Sequence, residues 1–294
     1  MNNEIRSRGE RIFDAFNVVL MFALMFIFIY PFWDTLILSV SDASEANRMG
    51  FRFLPKWPLN FDAYQKVFAQ KEFLTAALNS VWRTVIGTVC TTAFTFMGAF
   101  VLAKKTLPGR KAITIFITVT MFFGGGLVPT YLLMQNLGLH GSRWSWILPG
   151  LTSAWYLFIA RNFLMGVSET IEEAARIDGA NTFQVMGLVV LPMSKPVLAV
   201  IALWTAVGQW NSWYDAQLYT NKEELMVLQL LLRRILINND PGVLAGALTS
   251  STAVTTPETV KAATIIVTIL PIVLTYPFFQ KYFVKGVNIG SVKG

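Results

Sequence analysis

The chain has 294 residues, 54% of them hydrophobic and 14% charged, and its mean hydropathy is +0.52. Soluble domains carry about 25% charged residues, so the composition excludes an ordinary soluble domain and indicates a polytopic membrane protein. The net charge of +7 comes with no aromatic–basic RNA motif and no zinc-ligand spacing; it is read as loops facing anionic lipid, not as nucleic-acid binding.

A membrane helix needs about 20 apolar residues. Phe16 to Val40 supplies the first, interrupted by Pro31. Basic residues Arg6, Arg8 and Arg11 precede it, as in a signal peptide, but Tyr30-Pro31-Phe32-Trp33 follows where a small-residue cleavage site would stand, so a retained first helix is expected. A polar stretch, Ser41 to Glu72, leads to a second helix from Phe73 to Ala103, rich in Thr84, Gly87, Thr88, Thr91 and Thr92. Such residues favour close helix contact and interhelical hydrogen bonds. The basic loop Lys104 to Lys111 follows.

The third helix is expected from Ile113 to Met134, interrupted by Gly124-Gly125-Gly126 and Pro129; the glycine run serves either as a hinge or as close packing. The fourth is expected from Trp144 to Phe163, with Pro149 inside, the fifth from Pro192 to Trp213 and the sixth from Val260 to Phe283. Between the last two lies a long polar segment, residues 215–257. The expectation is an all-α polytopic protein with six transmembrane helices, forming one transmembrane domain over residues 1–294. Short basic loops select the cytoplasmic side. Arg6, Arg8, Arg11, Lys104, Lys105, Arg110, Lys111, Arg161, Arg176, Lys195, Lys281, Lys285 and Lys293 then fall inside, with both termini; the long loops, about 41–72 and 215–257, fall outside.

Between the fourth and fifth helices lies a polar stretch, about 166–192. Ser168 or Thr170 offers a helix cap, Thr170 with Glu173 fits capping-box spacing, and the early glutamates suit the helix dipole. Gly179 stands where the first short helix would end in a left-handed turn, and Asn181 or Thr182 would cap a second. Ala174 and Ala175 would leave a small-residue face on which another protein could rest. The other reading of this stretch is an interfacial linker.

Cys90 and His140 are the only cysteine and histidine, leaving no intrachain disulfide, no cysteine-based metal cluster and no histidine-based catalytic network. Asp and Glu are nearly absent from the expected spans, which argues against a membrane-embedded enzyme. No P-loop pattern is present, so the chain is not expected to bind ATP in that manner. No catalytic or metal-binding residue is assigned.

Glu173-Ala174-Ala175, Gly179, Val189 and Leu191-Pro192 resemble the EAA loop of ABC importer permeases, with Val189 where that family favours Ile. Ala77-Leu78-Asn79-Ser80, Gly138-Leu139 and Arg161-Asn162-Phe163 are similar to the MalG-like branch of carbohydrate importers. The ending from Tyr276 through Val292-Lys293-Gly294 resembles the LplC/YtcP-like group, whose relatives include alginate importer permeases.

This resemblance implies a non-catalytic permease subunit of an importer for oligosaccharide or polysaccharide in the bacterial cytoplasmic (inner) membrane. The implied partners are a second permease chain, two ATPase subunits that bind ATP and Mg, and an external solute-binding protein. Glu172, Glu173, Ala174, Ala175, Asp178 and Gly179 would form the ATPase-coupling loop, joined by the tail Val292, Lys293 and Gly294. The segment from about Leu231 to Thr255 would meet the binding protein. An importer permease for another solute class, such as amino acids, shares the loop and stands as the alternative.

Substrate contacts are open. Gln209, Trp210, Asn211, Trp213 and Tyr214 pair aromatic faces with amides, suiting either sugar rings or an aromatic belt. Pro192 to Asn211 would span about 28 Å as straight helix, placing the cluster near the outer surface, and Arg83 would lie roughly 13 Å into the second helix. A charge at that depth faces a polar interior, snorkels outward or meets an acidic sugar.

Overall fold

The computed structural model describes residues 8–46, 48, 50–167, 169–237 and 255–290. Among these the secondary structure is helical, with no strand. In chain order the α-helices are α1 (Arg8–Ser39), α2 (Ala43–Ala46), α3 (Asp62–Ala69), α4 (Lys71–Ala103), α5 (Arg110–Phe122), α6 (Leu127–Asn136), α7 (Ala154–Met165), α8 (Glu169–Ile177), α9 (Thr182–Gln184), α10 (Leu191–Met193), α11 (Lys195–Asn211), α12 (Tyr214–Tyr219), α13 (Leu228–Ile237) and α14 (Pro257–Gly290). The chain divides into two compact units. One comprises Met1–Gln70 and Arg234–Ile269, the other Lys71–Arg233 and Leu270–Gly294.

Three helices are long and apolar enough to cross a membrane alone: Gly9–Ser39, Lys71–Ala103 and Pro257–Thr275. Two bent pairs raise that number to five if each counts as one span. The expected third helix is two, α5 and α6, meeting at 112°. The glycine run is the cause: Phe123 is extended and Gly126 has φ of +85°, so the helical hydrogen-bond ladder stops and restarts in another direction. The expected fourth helix is also not continuous. Arg143–Trp146 and Leu148–Gly150 form two 3-10 turns, the second containing Pro149, and regular helix begins only at Ala154. The expected fifth starts at Lys195 and ends at Asn211, because the chain turns by 80° at Ser194. Pro192 and Pro196 have no N–H for the ladder, and Ser194 instead donates its N–H to the Val190 and Leu191 carbonyls. A π-helical turn, Val185–Val190, leads into this bend. The two long polar segments are partly helical, carrying α2 and α3 in the first and α12 and α13 in the second.

In the first unit, Arg52 ties the loop after α1 back onto that helix. Its guanidinium donates to Asp34 (3.3 Å) and to the carbonyls of Glu45, Ala46 and Arg48. Trp33 donates to the Phe53 carbonyl (2.9 Å), and Phe26, Tyr30, Phe51 and Phe53 form an aromatic cluster. The Ser44 hydroxyl and the Glu45 N–H hold the Asp42 carboxyl below its usual pKa at the start of α2. The apolar core of α1 itself is uncovered.

In the second unit, α4 packs against α11 and α7. Among the buried positions of α4, Phe73, Ala76, Ser80, Arg83, Gly87, Thr91, Thr95 and Ala99 recur every three or four residues, the spacing of one helix face. One end of that face closes an apolar core with Phe96, Phe100, Ala160, Leu164, Val185, Val190 and Ile201.

Candidate functional site

The polar stretch sits directly on this core. Val167, Ala175, Ala180 and Met186 pack against it half-buried. Glu172 pairs with Lys104, whose ammonium also lies 4.4 Å from the centre of the Phe100 ring. These contacts fix the rotation of α8. They turn Glu172 and Ala175 inward, and they leave Glu173, Ala174, Asp178 and Gly179 exposed. Ala175 is therefore small because its own chain's core lies beneath it, and only Ala174 is free to form the expected small outward face. Ser168 lies outside the described residues and Thr170 is inside α8, which begins at Glu169.

Gly179 ends α8 with φ of +87°, a left-handed value that costs a residue with Cβ about 1–2 kcal/mol. No heavy atom lies within 4 Å of where that Cβ would stand, so the requirement is conformational, not steric. Asn181, not Thr182, caps the next helix: its side chain accepts from the Gln184 N–H (2.9 Å), and the Gln184 side chain accepts from the Asn181 N–H (2.8 Å). Two large apolar residues that the motif does not contain are nearly bare here, Ile177 at 86% exposure and Phe183 at 79%. Val292, Lys293 and Gly294 lie outside the described residues.

A second polar constellation lies where α4 crosses α11. Arg83 is buried, its side chain 3% exposed. Its Nε–H donates to the Gln209 Oε1 (2.8 Å), and its terminal nitrogens donate to both Asp215 carboxylate oxygens and to the Ser212 carbonyl. The guanidinium also lies 5.9 Å from the centre of the Trp146 ring. Gly87 makes room for this arrangement, since a Cβ there would come 2.9 Å from the Gln209 side-chain carbon. The constellation borders a cavity of about 330 Å³.

The structure brings Arg83 and Gln209 together but not the other expected sugar contacts. Trp210 points away and lines an apolar groove with Val81, Leu203 and Pro271. The Asn211 amide donates to the carbonyl of Val207. Trp213 lies under the Arg233 guanidinium, 3.9 Å from ring centre to charge, and Tyr214 abuts Trp213 edge-on. The straight-helix distance to this cluster does not hold either, because of the bend at Ser194. Asp215, Trp146, Tyr156 and Trp204 are cavity residues that sequence reasoning missed. The three aromatics lie in stretches read as plain span, and Asp215 was read as loop; it is 132 residues from Arg83.

Asn79 and Ser80 anchor the chain beyond α12. Asn79 donates to the carbonyls of Glu224 (2.8 Å) and Met226 (2.9 Å), and Ser80 accepts from the Leu228 N–H (2.8 Å). Asn79→Ala would leave the buried Met226 carbonyl unpaired, a loss of about 1–3 kcal/mol, and would release the more exposed Glu224 carbonyl as well. The expected result is faster limited proteolysis within residues 221–227 of the purified chain; wild-type cleavage rates would mean that Asn79 is not the anchor. The segment assigned to the binding protein begins poorly for that role, since Leu231 is fully buried; residues 238–254 lie outside the described set.

The second unit thus combines bent apolar helices, a buried charged crossing and a short polar helix pair packed on one end. No family model matches the chain. It is 38% identical to Protein LplC of Bacillus subtilis over 98% of this chain and 97% of that one. It is 37% identical to the polygalacturonan/rhamnogalacturonan transport system permease protein YtcP of the same organism, over 97% and 99%. It also matches a chain in the crystal structure of a bacterial ABC transporter involved in the import of the acidic polysaccharide alginate, with a TM-score of 0.89 and 34% identity over 96% of this chain and 100% of that chain. The chain belongs to the sugar ABC transporter permeases, and its place is the bacterial cytoplasmic membrane. The amino-acid alternative finds no support among these relatives.

Proposed function

We propose that this chain is the transmembrane subunit of an ATP-driven importer that takes up oligosaccharide or polysaccharide, including acidic polymers. It works as one permease domain with six membrane crossings and both termini in the cytoplasm. A second permease chain completes the pathway, two ATPase subunits supply ATP and Mg chemistry, and an external solute-binding protein delivers the sugar. The single observation that carries this reading is similarity along nearly the whole chain to YtcP, a polygalacturonan/rhamnogalacturonan permease. The permease itself changes no covalent bond. The exposed face of α8 and α9 (Glu173, Ala174, Ile177, Gly179 and Phe183) is the ATPase docking surface, with Asp178 at its edge. Glu172 acts behind it, tying the docking helix to α4 through Lys104. The tail Val292-Lys293-Gly294 adds a second ATPase contact. Because α4, α7 and α11 pack as rigid bodies, a push on α8 is carried into the helices that line the pathway.

The test is uptake by proteoliposomes holding the whole importer. Labelled trigalacturonate or galactotriose should enter in an ATP-dependent and binding-protein-dependent way, and labelled amino acids should not. In whole cells, Asn181→Cys should resist an impermeant thiol reagent and react only after the membrane is opened. Amino-acid uptake would overturn the substrate class, and labelling of Asn181→Cys in intact cells would overturn the orientation.

A further inference from the structure

Two arginines meet where α4, α5 and α7 come together, with no acid between them. Arg110, the first residue of α5, and Arg161, near the end of α7, each donate an Nε–H to the same oxygen, the Leu102 carbonyl, at 3.0 and 3.3 Å. A terminal nitrogen of Arg110 also reaches the Met165 sulfur (3.3 Å), a weak acceptor. No carboxylate pairs with either guanidinium among the described residues; Glu172 of the neighbouring α8 is taken by Lys104. A guanidinium carries five N–H groups, so most of those on this pair stay open. Both side chains are half-buried, where like charges repel more strongly than in open water. Leu102 lies in the last turn of α4, and a helix C-terminus is worth about half a negative charge. Against it stand two full positive charges and the start of α5, where Gly109 gives no side-chain cap and the dipole adds about half a positive charge. Lys111, next in the chain, is exposed. The corner is built to hold an anion.

What lies beyond Arg110 decides the source of that anion. α5 continues for 13 residues, about 20 Å, before the glycine break, and one leaflet of bilayer hydrocarbon is about 15 Å deep. No residue of α5 is buried. Ile113, Ile115, Phe116 and Phe122 are exposed, Phe116 by 71%. The helix also turns its polar atoms back on itself: Thr114, Thr118 and Thr120 donate to the carbonyls of Arg110, Thr114 and Ile117 at 2.7, 2.8 and 2.7 Å. Free phosphate would answer the charges but leave this apolar length bare, and so would an acidic side chain of a docked subunit. A phospholipid answers both. A zwitterionic headgroup would bring a further cation into the cluster, so the net charge of the headgroup matters. We infer that Arg110 and Arg161, with Lys111 at the rim, hold the headgroup phosphate of an anionic phospholipid whose acyl chains lie along α5. The guanidinium fork suits the paired oxygens of a phosphate. The short basic loop sets this end at the cytoplasmic leaflet, which rests on the orientation proposed above; the site itself goes beyond the transport reading.

The test reads binding without turnover, on the whole importer in nanodiscs. Phosphatidylglycerol with a diazirine on an acyl chain, and phosphatidylcholine with the same group, are each diluted into the bilayer, and labelled peptides are mapped by mass spectrometry. The expected result is labelling within residues 110–123 that favours phosphatidylglycerol by at least roughly three-fold and is insensitive to millimolar inorganic phosphate. This wild-type comparison needs no variant to fold. Arg110→Gln/Arg161→Gln should bring the two lipids to near equality. Lys195→Gln, which removes an exposed cation at the start of α11, should leave the preference unchanged. Four results overturn the site: equal labelling by the two lipids in the wild type, an equal loss of preference on Lys195→Gln, suppression by inorganic phosphate, or a double variant that keeps the lipid preference and loses the co-purifying ATPase, which would make the pair a protein contact. Preferential labelling in an importer whose Asn181→Cys is reached from outside would overturn the orientation and leave the lipid site standing.

Discussion

Asp215→Ala is expected to be among the most damaging single substitutions in the chain. It leaves the Arg83 guanidinium buried, its side chain 3% exposed, with two oxygens of its principal partner gone. Removing one member of a buried ion pair costs about 3–5 kcal/mol, because the remaining charge has lost its compensation. The half-buried position of Asp215, whose side chain is 24% exposed, places the expected loss near the lower end of that range. The chain should reach the membrane in reduced amount, and the detergent-purified importer should melt at a lower temperature. The double variant Arg83→Met/Asp215→Leu removes both charges and retains apolar volume, and such replacements are often neutral for stability. It should therefore recover most of the melting temperature that Asp215→Ala loses. If the double variant melts as low as Asp215→Ala, the pair is not the source of the loss. If Asp215→Ala melts like wild type, the guanidinium is compensated by Gln209 and Ser212 alone.

The second large effect is loss of coupling at α8. Gly179→Asp places a Cβ residue at φ of +87°, where the penalty is about 1–2 kcal/mol, and it disturbs the angle between α8 and α9. Glu173→Lys reverses an exposed charge at the proposed contact, and Ile177→Asp removes an apolar side chain that is 86% exposed. An apolar group so bare is an ordinary cost for the free chain and a natural anchor for a partner. Each variant should abolish saccharide uptake and lower the amount of ATPase that co-purifies with the permease by at least roughly ten-fold, the equivalent of about 1.4 kcal/mol, with the permease still present in the membrane. Ala175→Trp is a poorer probe, because Ala175 packs on the chain's own core, and a large side chain there would damage folding and docking together. Wild-type uptake and ATPase recovery in all three variants would reduce residues 166–192 to a linker between spans.

What could be read in the sequence was local. Hydropathy alone marked α1, α4 and the start of α14, because twenty apolar residues have few places to go except lipid. The turn at Gly179 and a cap at Asn181 or Thr182 were legible because both depend on residues within a few positions, through backbone conformation and reach. The glycine run at 124–126 announced an interruption, but not its angle. The bend at Ser194 was missed because Pro192 reads equally well as the first residue of one continuous span. Only the tertiary structure decided the partners. Arg83 could be placed at a depth by counting residues, but whether it faced lipid, sugar or protein depended on the rotation of α4 and on which helix crosses it, and Asp215 is its partner at a separation of 132 residues. The same holds for Glu172 and Ala175, which belong to the motif yet face inward because Lys104 and the core formed by α4, α7 and α11 set the rotation of α8. Periodicity tells which residues share a face, but what that face meets is set by interhelical packing, which no stretch of the chain encodes by itself.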